Sequence, residues 1–319
     1  MTDQPISDAE PTPEFNQSII DVINAWESGD MPFAEGIARL TNLRQEAIAA
    51  NHIANQGRAE HLLGYLQHYR GNLDSSIRHY RRARSLYNRA GNRVRMVTID
   101  INQGENQRLK GDLEQALKLY RTAYATGVEL GRKDSQTIAI TNEGLALFAL
   151  GEYADAIKAL ERGLELSDEW PDKTDRNYHP LLCEIYHGLA NTYLQQGNLD
   201  IAWEYVLKGL DIAKIDGQPF TRGFANRTAG VVITALESVP DETFSSDPDY
   251  YFKQALAAFN EINAEAELAR TIFAHAHSLA ERGKRNTAAR KLQQAMIIFT
   301  RLGMMQDAAR AAEMQLSVT

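Results

Sequence analysis

Residues 104–123 read Gly104-Glu105-Asn106-Gln107-Arg108-Leu109-Lys110-Gly111-Asp112-Leu113-Glu114-Gln115-Ala116-Leu117-Lys118-Leu119-Tyr120-Arg121-Thr122-Ala123, and this stretch decides the architecture. Gly111-Asp112-Leu113 breaks one helical pattern and opens another, as glycine does where a chain must turn. Downstream, Ala116, Tyr120 and Ala123 share one helical stripe. Upstream, Gly104 pinches the preceding helix seven residues before the turn. Small residues flanking a large one describe a close helix-to-helix contact, so the stretch is the inner half of a helix hairpin.

The frame recurs at Gly71-Asn72-Leu73, Gly151-Glu152-Tyr153 and Gly197-Asn198-Leu199, giving glycine spacings of 40, 40 and 46. Its stripes are Ser76, Tyr80, Ala83; Ala156, Leu160, Gly163; and Ala202, Val206, Gly209, with Gly64, Gly144 and Ala190 at the upstream place. Gly29 with Ala34 and Ala38 opens the series, and Gly283 with Ala288, Leu292 and Ala295 closes it. The 86 residues between Gly197 and Gly283 equal two units, which places a degenerate sixth unit there, its glycine lost near Val239-Pro240. A second glycine at Gly91, Gly131, Gly217 and Gly303, replaced by Pro171 in the fourth unit, ends each second helix.

Leu-Gly, a later aromatic, then Gly, Ala, Tyr and Ala resembles the tetratricopeptide repeat over residues 15–302. The early Trp and late Pro of that family's 34-residue consensus are lacking, and the second helix is longer. In unit length the chain is similar to the longer variety found in kinesin light chains, spindle-orientation adaptors, bacterial peptide-sensing regulators, and sensor domains of bacterial transcription activators and adenylate cyclases. The resemblance implies an adaptor or a sensor for peptides or proteins. The expected fold is all-α: a right-handed superhelical solenoid of about seven hairpins with a C-terminal capping helix.

The expected divisions are a disordered tail at 1–13, an array over 14–303 and a cap with its tail at 304–319. The repeats run 14–50, 51–91, 92–131, 132–171, 176–217, 218–263 and 264–303. Two insertions, Asp168–Asn177 and Val239–Asp249, belong on the surface.

Composition narrows the class. With 34 Lys and Arg against 42 Asp and Glu the chain is mildly acidic, unlike a general nucleic-acid binder. Cys183 is the single cysteine, so neither an intrachain disulfide nor a cysteine zinc cage is available. Residues 1–14 hold four acids, three prolines and no apolar run, so no signal peptide is expected; nor does any stretch reach the length of a membrane span. A reducing cytoplasmic location is expected, as monomer or weak homo-oligomer.

In this architecture the first helix of each hairpin lines the concave side. Counting back ten, six and three from the turn glycines gives His61, Tyr65, His68; Ile101, Glu105, Arg108; Thr141, Leu145, Phe148; and His187, Asn191, Leu194. Such a mixture of polar, aromatic and aliphatic groups suits a ligand-facing surface. Asn102 and Asn142 occupy the same place in successive repeats, where peptide-binding members of the resembled class hold a ligand backbone, and Asn191 lies three residues later in its frame. An amide both donates and accepts, as an extended backbone requires; the same groups would equally serve neighbouring helices. The candidate groove is therefore Tyr65, Asn102, Glu105, Arg108, Asn142, Phe148, His187 and Asn191. With Tyr65 and Glu105 where a carboxylate clamp needs asparagine or a cation, a chaperone tail is not expected.

Residues 58–95 carry nine arginines against Glu60 and Asp74, whereas 1–57 carry nine acids against Arg39 and Arg44. Arg78, Arg81, Arg82 and Arg89 form a candidate patch for an acidic partner or polyanion, or else a solvated outer face. No aromatic RNA signature accompanies them, so nucleic acid is a minority reading. Nucleotide, zinc-protease, serine-hydrolase and calcium motifs are absent. His275 and His277 diverge on a helix, and His61 and His68 lie two turns apart, so neither pair is a metal site. No cofactor or catalysis is expected. The expected function is a scaffold binding a peptide or helix in its groove, with a ligand-driven regulatory sensor and a polyanion binder as alternatives.

Overall fold

The computed structural model describes residues 9–27, 29–236, 239 and 243–318. Within them lie fifteen helices and no strand. Seven hairpins follow one another: α1 (Pro13–Glu27) with α2 (Phe33–Ala49), α3 (Ile53–Tyr69) with α4 (Leu73–Arg89), α5 (Arg93–Lys110) with α6 (Leu113–Glu129), and α7 (Lys133–Leu150) with α8 (Tyr153–Asp168). Then come α9 (Tyr178–Gln195) with α10 (Leu199–Asp216), α11 (Pro219–Ala235) with α12 (Pro248–Glu261), α13 (Glu265–Glu281) with α14 (Arg285–Arg301), and the cap α15 (Met305–Val318). The all-α superhelical solenoid expected from the glycine frame is the observed fold. No described helix is long and apolar enough to cross a membrane.

The frame works by close approach. A methyl placed on Gly64 would fall 2.7 Å from the Tyr80 ring, and Gly104 faces Tyr120 more tightly still. Ser76, Ala83, Ala116, Ala123 and Ala156 are fully buried beside these rings. Turn glycines such as Gly111, at φ 86°, take the left-handed backbone that side chains resist. After it the Asp112 carboxylate accepts from the Gln115 backbone amide at 3.2 Å and starts α6.

The sixth hairpin keeps the packing while losing the turn. Gly230 faces Phe252 and Gly223 faces Phe259, as Gly64 faces Tyr80 and Gly57 faces Tyr87. Asn51 (φ 52°) and Asn263 (φ 51°) replace the glycine that ends the second helix in the first and sixth units, asparagine being the residue that best tolerates this region. Residues 1–8 of the expected disordered tail and 240–242 of the second insertion lie outside the described residues. Within residues 9–13 the Asn92 amide donates to the Ala9 carbonyl at 2.6 Å, Arg95 pairs with Glu10 at 3.1 Å, and α1 starts at Pro13.

The solenoid turns back on itself. A single apolar cluster joins Leu73 and Leu109 of the second and third hairpins to Ala295, Phe299, Leu302, Met304 and Ala308 at the C-terminal end. Leu302 packs on Gly71, where a methyl would come within 2.5 Å of its Cδ2. The concave face thereby becomes an interior.

Candidate functional site

Two confluent chambers occupy that interior, of about 560 and 650 Å³. Each lies within the range typical of ligand sites. Tyr65, Tyr69, Ile138, Glu184 and Phe220 line both.

All eight candidate groove residues line the first chamber, together with His68, Ile101 and Leu145 of the same stripe. His61 and Thr141 do not face it; they are buried between helices. The hydrogen bonds divide the three asparagines. Asn102 donates to His61 Nε2 at 3.0 Å, and Asn191 donates to the His187 carbonyl one turn back at 2.7 Å. Asn142 has no hydrogen bond to any described residue, and its amide faces the chamber unspent.

Two imidazoles, His61 and His187, are held neutral by burial. Burial, reinforced by Arg58 and Arg95, lowers His61 well below the ordinary histidine range. Burial and Arg227 bring His187 down to about 3, while its Nδ1 lies 2.6 Å from Thr228 Oγ1. His68 Nδ1 donates to Asn106 Oδ1 at 2.7 Å, Asn106 to Ser76 Oγ at 2.8 Å, and Ser76 to the Gly64 carbonyl at 2.7 Å. This chain of bonds ties the chamber wall to the hairpin packing.

Glu105 and Arg108 are partners rather than free charges. They form a two-pronged pair at 2.7 and 2.8 Å, to which Tyr120 Oη adds a bond at 3.2 Å. Across the lumen stands a second network that the stripe did not include. Arg227 of α11 pairs with Glu267 of α13 at 2.6 Å, and Arg270 meets the same carboxylate at 3.0 Å. Burial opposes ionisation of Glu267, but Arg227 and Arg270 outweigh it and hold the carboxyl at about 2. Arg227 also stacks on the Phe224 ring at 4.6 Å.

These missed residues had a signal. Ile138, Glu184, Phe224 and Arg270 all line the chamber, one helical turn N-terminal to the first place of the stripe. Counting thirteen back from Gly151, Gly197 and Gly283 reaches Ile138, Glu184 and Arg270. Arg227 and Phe224 follow once Gly230 sets the sixth register.

The candidate arginine patch lies outside the lumen. Arg78, Arg81, Arg82 and Arg89 are exposed on α4, with Arg82 4.0 Å from Glu60. Cys183 and Trp203 are core, at 1 and 4% exposure. Trp26 is partly buried and lines the second chamber.

The fold defines a helical-repeat protein whose concave face lines two chambers. The family profile of the tetratricopeptide repeat matches residues 55–127 and 134–215, and the chain is a tetratricopeptide-repeat protein. No curated protein sequence matches it. Among solved structures, the apo form of RapI is 16% identical, with a TM-score of 0.67, covering 92% of this chain and 99% of its own. The Rap conjugation gene regulator of plasmid pLS20, in complex with the Phr* peptide, is 14% identical at a TM-score of 0.71, over 92 and 76%. Aspartyl phosphate phosphatase F from Bacillus subtilis is 16% identical at 0.68, over 89 and 70%. At these identities the likeness is one of fold.

Proposed function

We propose that this protein is a non-catalytic cytoplasmic scaffold whose lumen takes a short peptide, free or as a segment of a partner protein. The observation that carries the reading is Asn142: a donor and acceptor amide, unpaired with any described residue and lining the first chamber. Being half-buried at the chamber wall, this amide can exchange water for the complementary groups of a peptide backbone. Around it Phe148, Leu145 and Tyr65 supply apolar area, and Arg108 and Glu105 supply paired charge. The peptide complex of the pLS20 regulator, of the same fold, supports the ligand class.

A regulatory sensor is a second form of this reading, favoured by the contact of the C-terminal end with the second and third hairpins. A ligand that changes the pitch of the superhelix would make or break that contact and so report its own presence.

A randomised hexapeptide mixture, passed over immobilised wild type and Asn142→Ala, tests the binding reading. Selective retention by wild type, with melting temperatures matched, supports it. Equal retention by both proteins contradicts it.

A further inference from the structure

The second chamber is not charge-balanced. Glu27, Glu184 and Asp216 line it against Arg176 alone. Glu27 is occupied, accepting from Tyr65 Oη at 2.7 Å and pairing with Arg176 at 2.8 Å. Asp216 accepts from Thr221 Oγ1 at 2.5 Å and lies 3.6 Å from His179 Nδ1. Glu184, in the middle of α9, has no hydrogen bond or ion pair with any described residue, although it lines both chambers. The nearby arginines cannot serve it, since Arg108 is bound to Glu105 and Arg227 to Glu267. What the lumen leaves unmatched is one carboxylate.

The same chamber presents an aromatic wall. Trp26, Tyr65 and Tyr69 pack on one another, with ring centroids 4.7 Å apart for Tyr65–Tyr69, 5.7 Å for Trp26–Tyr69 and 6.3 Å for Trp26–Tyr65. Rings this close leave no gap between them, so a guest lies against the cluster rather than within it. Aromatic faces attract cations, the more so where water is excluded.

We propose that this chamber is a subsite for an organic cation, the guanidinium or ammonium of an Arg or Lys side chain on the ligand, with Glu184 as counter-ion and Trp26, Tyr65 and Tyr69 as its wall. The proposal rests on the peptide reading above and names the ligand's chemistry. Burial, then the like charges of Glu105 and Glu267, push the Glu184 carboxyl up to about 8. Facing it are Glu105 and Arg108 from α5, Arg227 from α11, Glu267 from α13 and Tyr69 from α3, with Glu27 and Arg176 at the neighbouring wall. At neutral pH a proton therefore neutralises Glu184. An incoming cation replaces that proton, which leaves to solvent.

The randomised hexapeptide mixture is passed over wild type and Glu184→Gln, and both proteins are titrated calorimetrically with agmatine, a free guanidinium compound. Wild type is expected to retain peptides enriched in Arg or Lys at one position and to release a proton on binding one of them. Glu184→Gln loses the enrichment and binds that peptide about 30-fold more weakly. Trp26→Leu, which removes a ring and no charge, is the second variant should the first fail to fold, with a smaller loss of the same enrichment expected. Retention without basic enrichment, or with the same enrichment in Glu184→Gln, overturns the cation subsite and leaves the peptide reading standing. Agmatine bound by wild type and not by Glu184→Gln, with no peptide retained, keeps the subsite, overturns the peptide reading and identifies a free cation as the guest. Binding of neither overturns both.

Discussion

Gln306, on the capping helix, donates its side-chain amide to the backbone carbonyl of Gly111 at 3.1 Å, across 195 residues of chain. The contact joins the cap to the turn of the third hairpin and converts an open groove into a lumen. Leu302 seats the same junction on Gly71. A solenoid's stability is otherwise a sum of neighbour contacts, so a contact between its cap and the second and third hairpins adds cooperativity that a repeat array ordinarily lacks.

The first prediction concerns that junction. Leu302 is buried at 4% exposure, and Leu302→Ala should cost about 2–4 kcal/mol in the range known for buried leucines. With Gln306→Ala added, the radius of gyration by small-angle scattering should rise while helical content by circular dichroism stays the same. An unchanged scattering profile would show that the ends are held together by something other than this junction.

Gly104→Ala tests the packing frame. A methyl there would overlap the Tyr120 ring, which is fully buried, so the hairpin must separate. Overpacking of this kind costs about 1–3 kcal/mol, read as a lower urea midpoint. Tyr120→Leu combined with Gly104→Ala should recover part of that loss, because the smaller side chain yields the space. A double variant no better than Gly104→Ala alone would argue against this contact as the cause.

Arg227 and Glu267 are the pair whose disruption should be felt most. Arg227→Met leaves the Glu267 carboxylate in the lumen wall with Arg270 as its remaining partner. Breaking a buried pair costs about 3–5 kcal/mol, whereas replacing both members with neutral groups is far milder. Chemical denaturation of Arg227→Met, Glu267→Gln and the double variant should therefore show strong coupling. Additive losses would place the pair in solvent rather than in the lumen.

Glu184 gives a pH dependence with a definite sign. Its carboxyl stands at about 8 in the folded protein against an ordinary 4.5, so between these values the native state holds a proton that the unfolded chain has released. This group's contribution therefore falls as pH rises from about 5 to 8. Glu184→Gln removes the effect, so its stability advantage over wild type should grow across that window. Urea midpoints at pH 5, 6.5 and 8 measure it, and a constant difference between the two proteins would sink the account of Glu184.

How far the sequence could be read depends on the range of the interaction. Gly64, Gly104 and Gly144 were legible because close approach to Tyr80, Tyr120 and Leu160 tolerates nothing larger, and that demand is local to one hairpin. The sixth hairpin was blurred only by its missing turn glycine, since Gly223 and Gly230 match Phe259 and Phe252 in the pattern of the second. Junction residues such as Gln306 could not be read, because whether the ends meet depends on small rotations accumulated over every hairpin. Asn102 and Asn191 looked identical in kind to Asn142, yet the first two are spent on His61 and on the His187 carbonyl. Spacing puts a side chain on a face; only the neighbouring helix decides whether its hydrogen bonds are already used.

The most direct test of a ligand-binding lumen is photo-crosslinking of a retained peptide. Benzoylphenylalanine is placed at Phe148, inside the first chamber, and in a separate protein at Ile215, which is 69% exposed on α10. Crosslinking from position 148 and not from 215, competed away by unlabelled peptide, is the predicted result. Crosslinking from 215 alone would place the ligand on the outer surface and contradict the assignment of the lumen as the site.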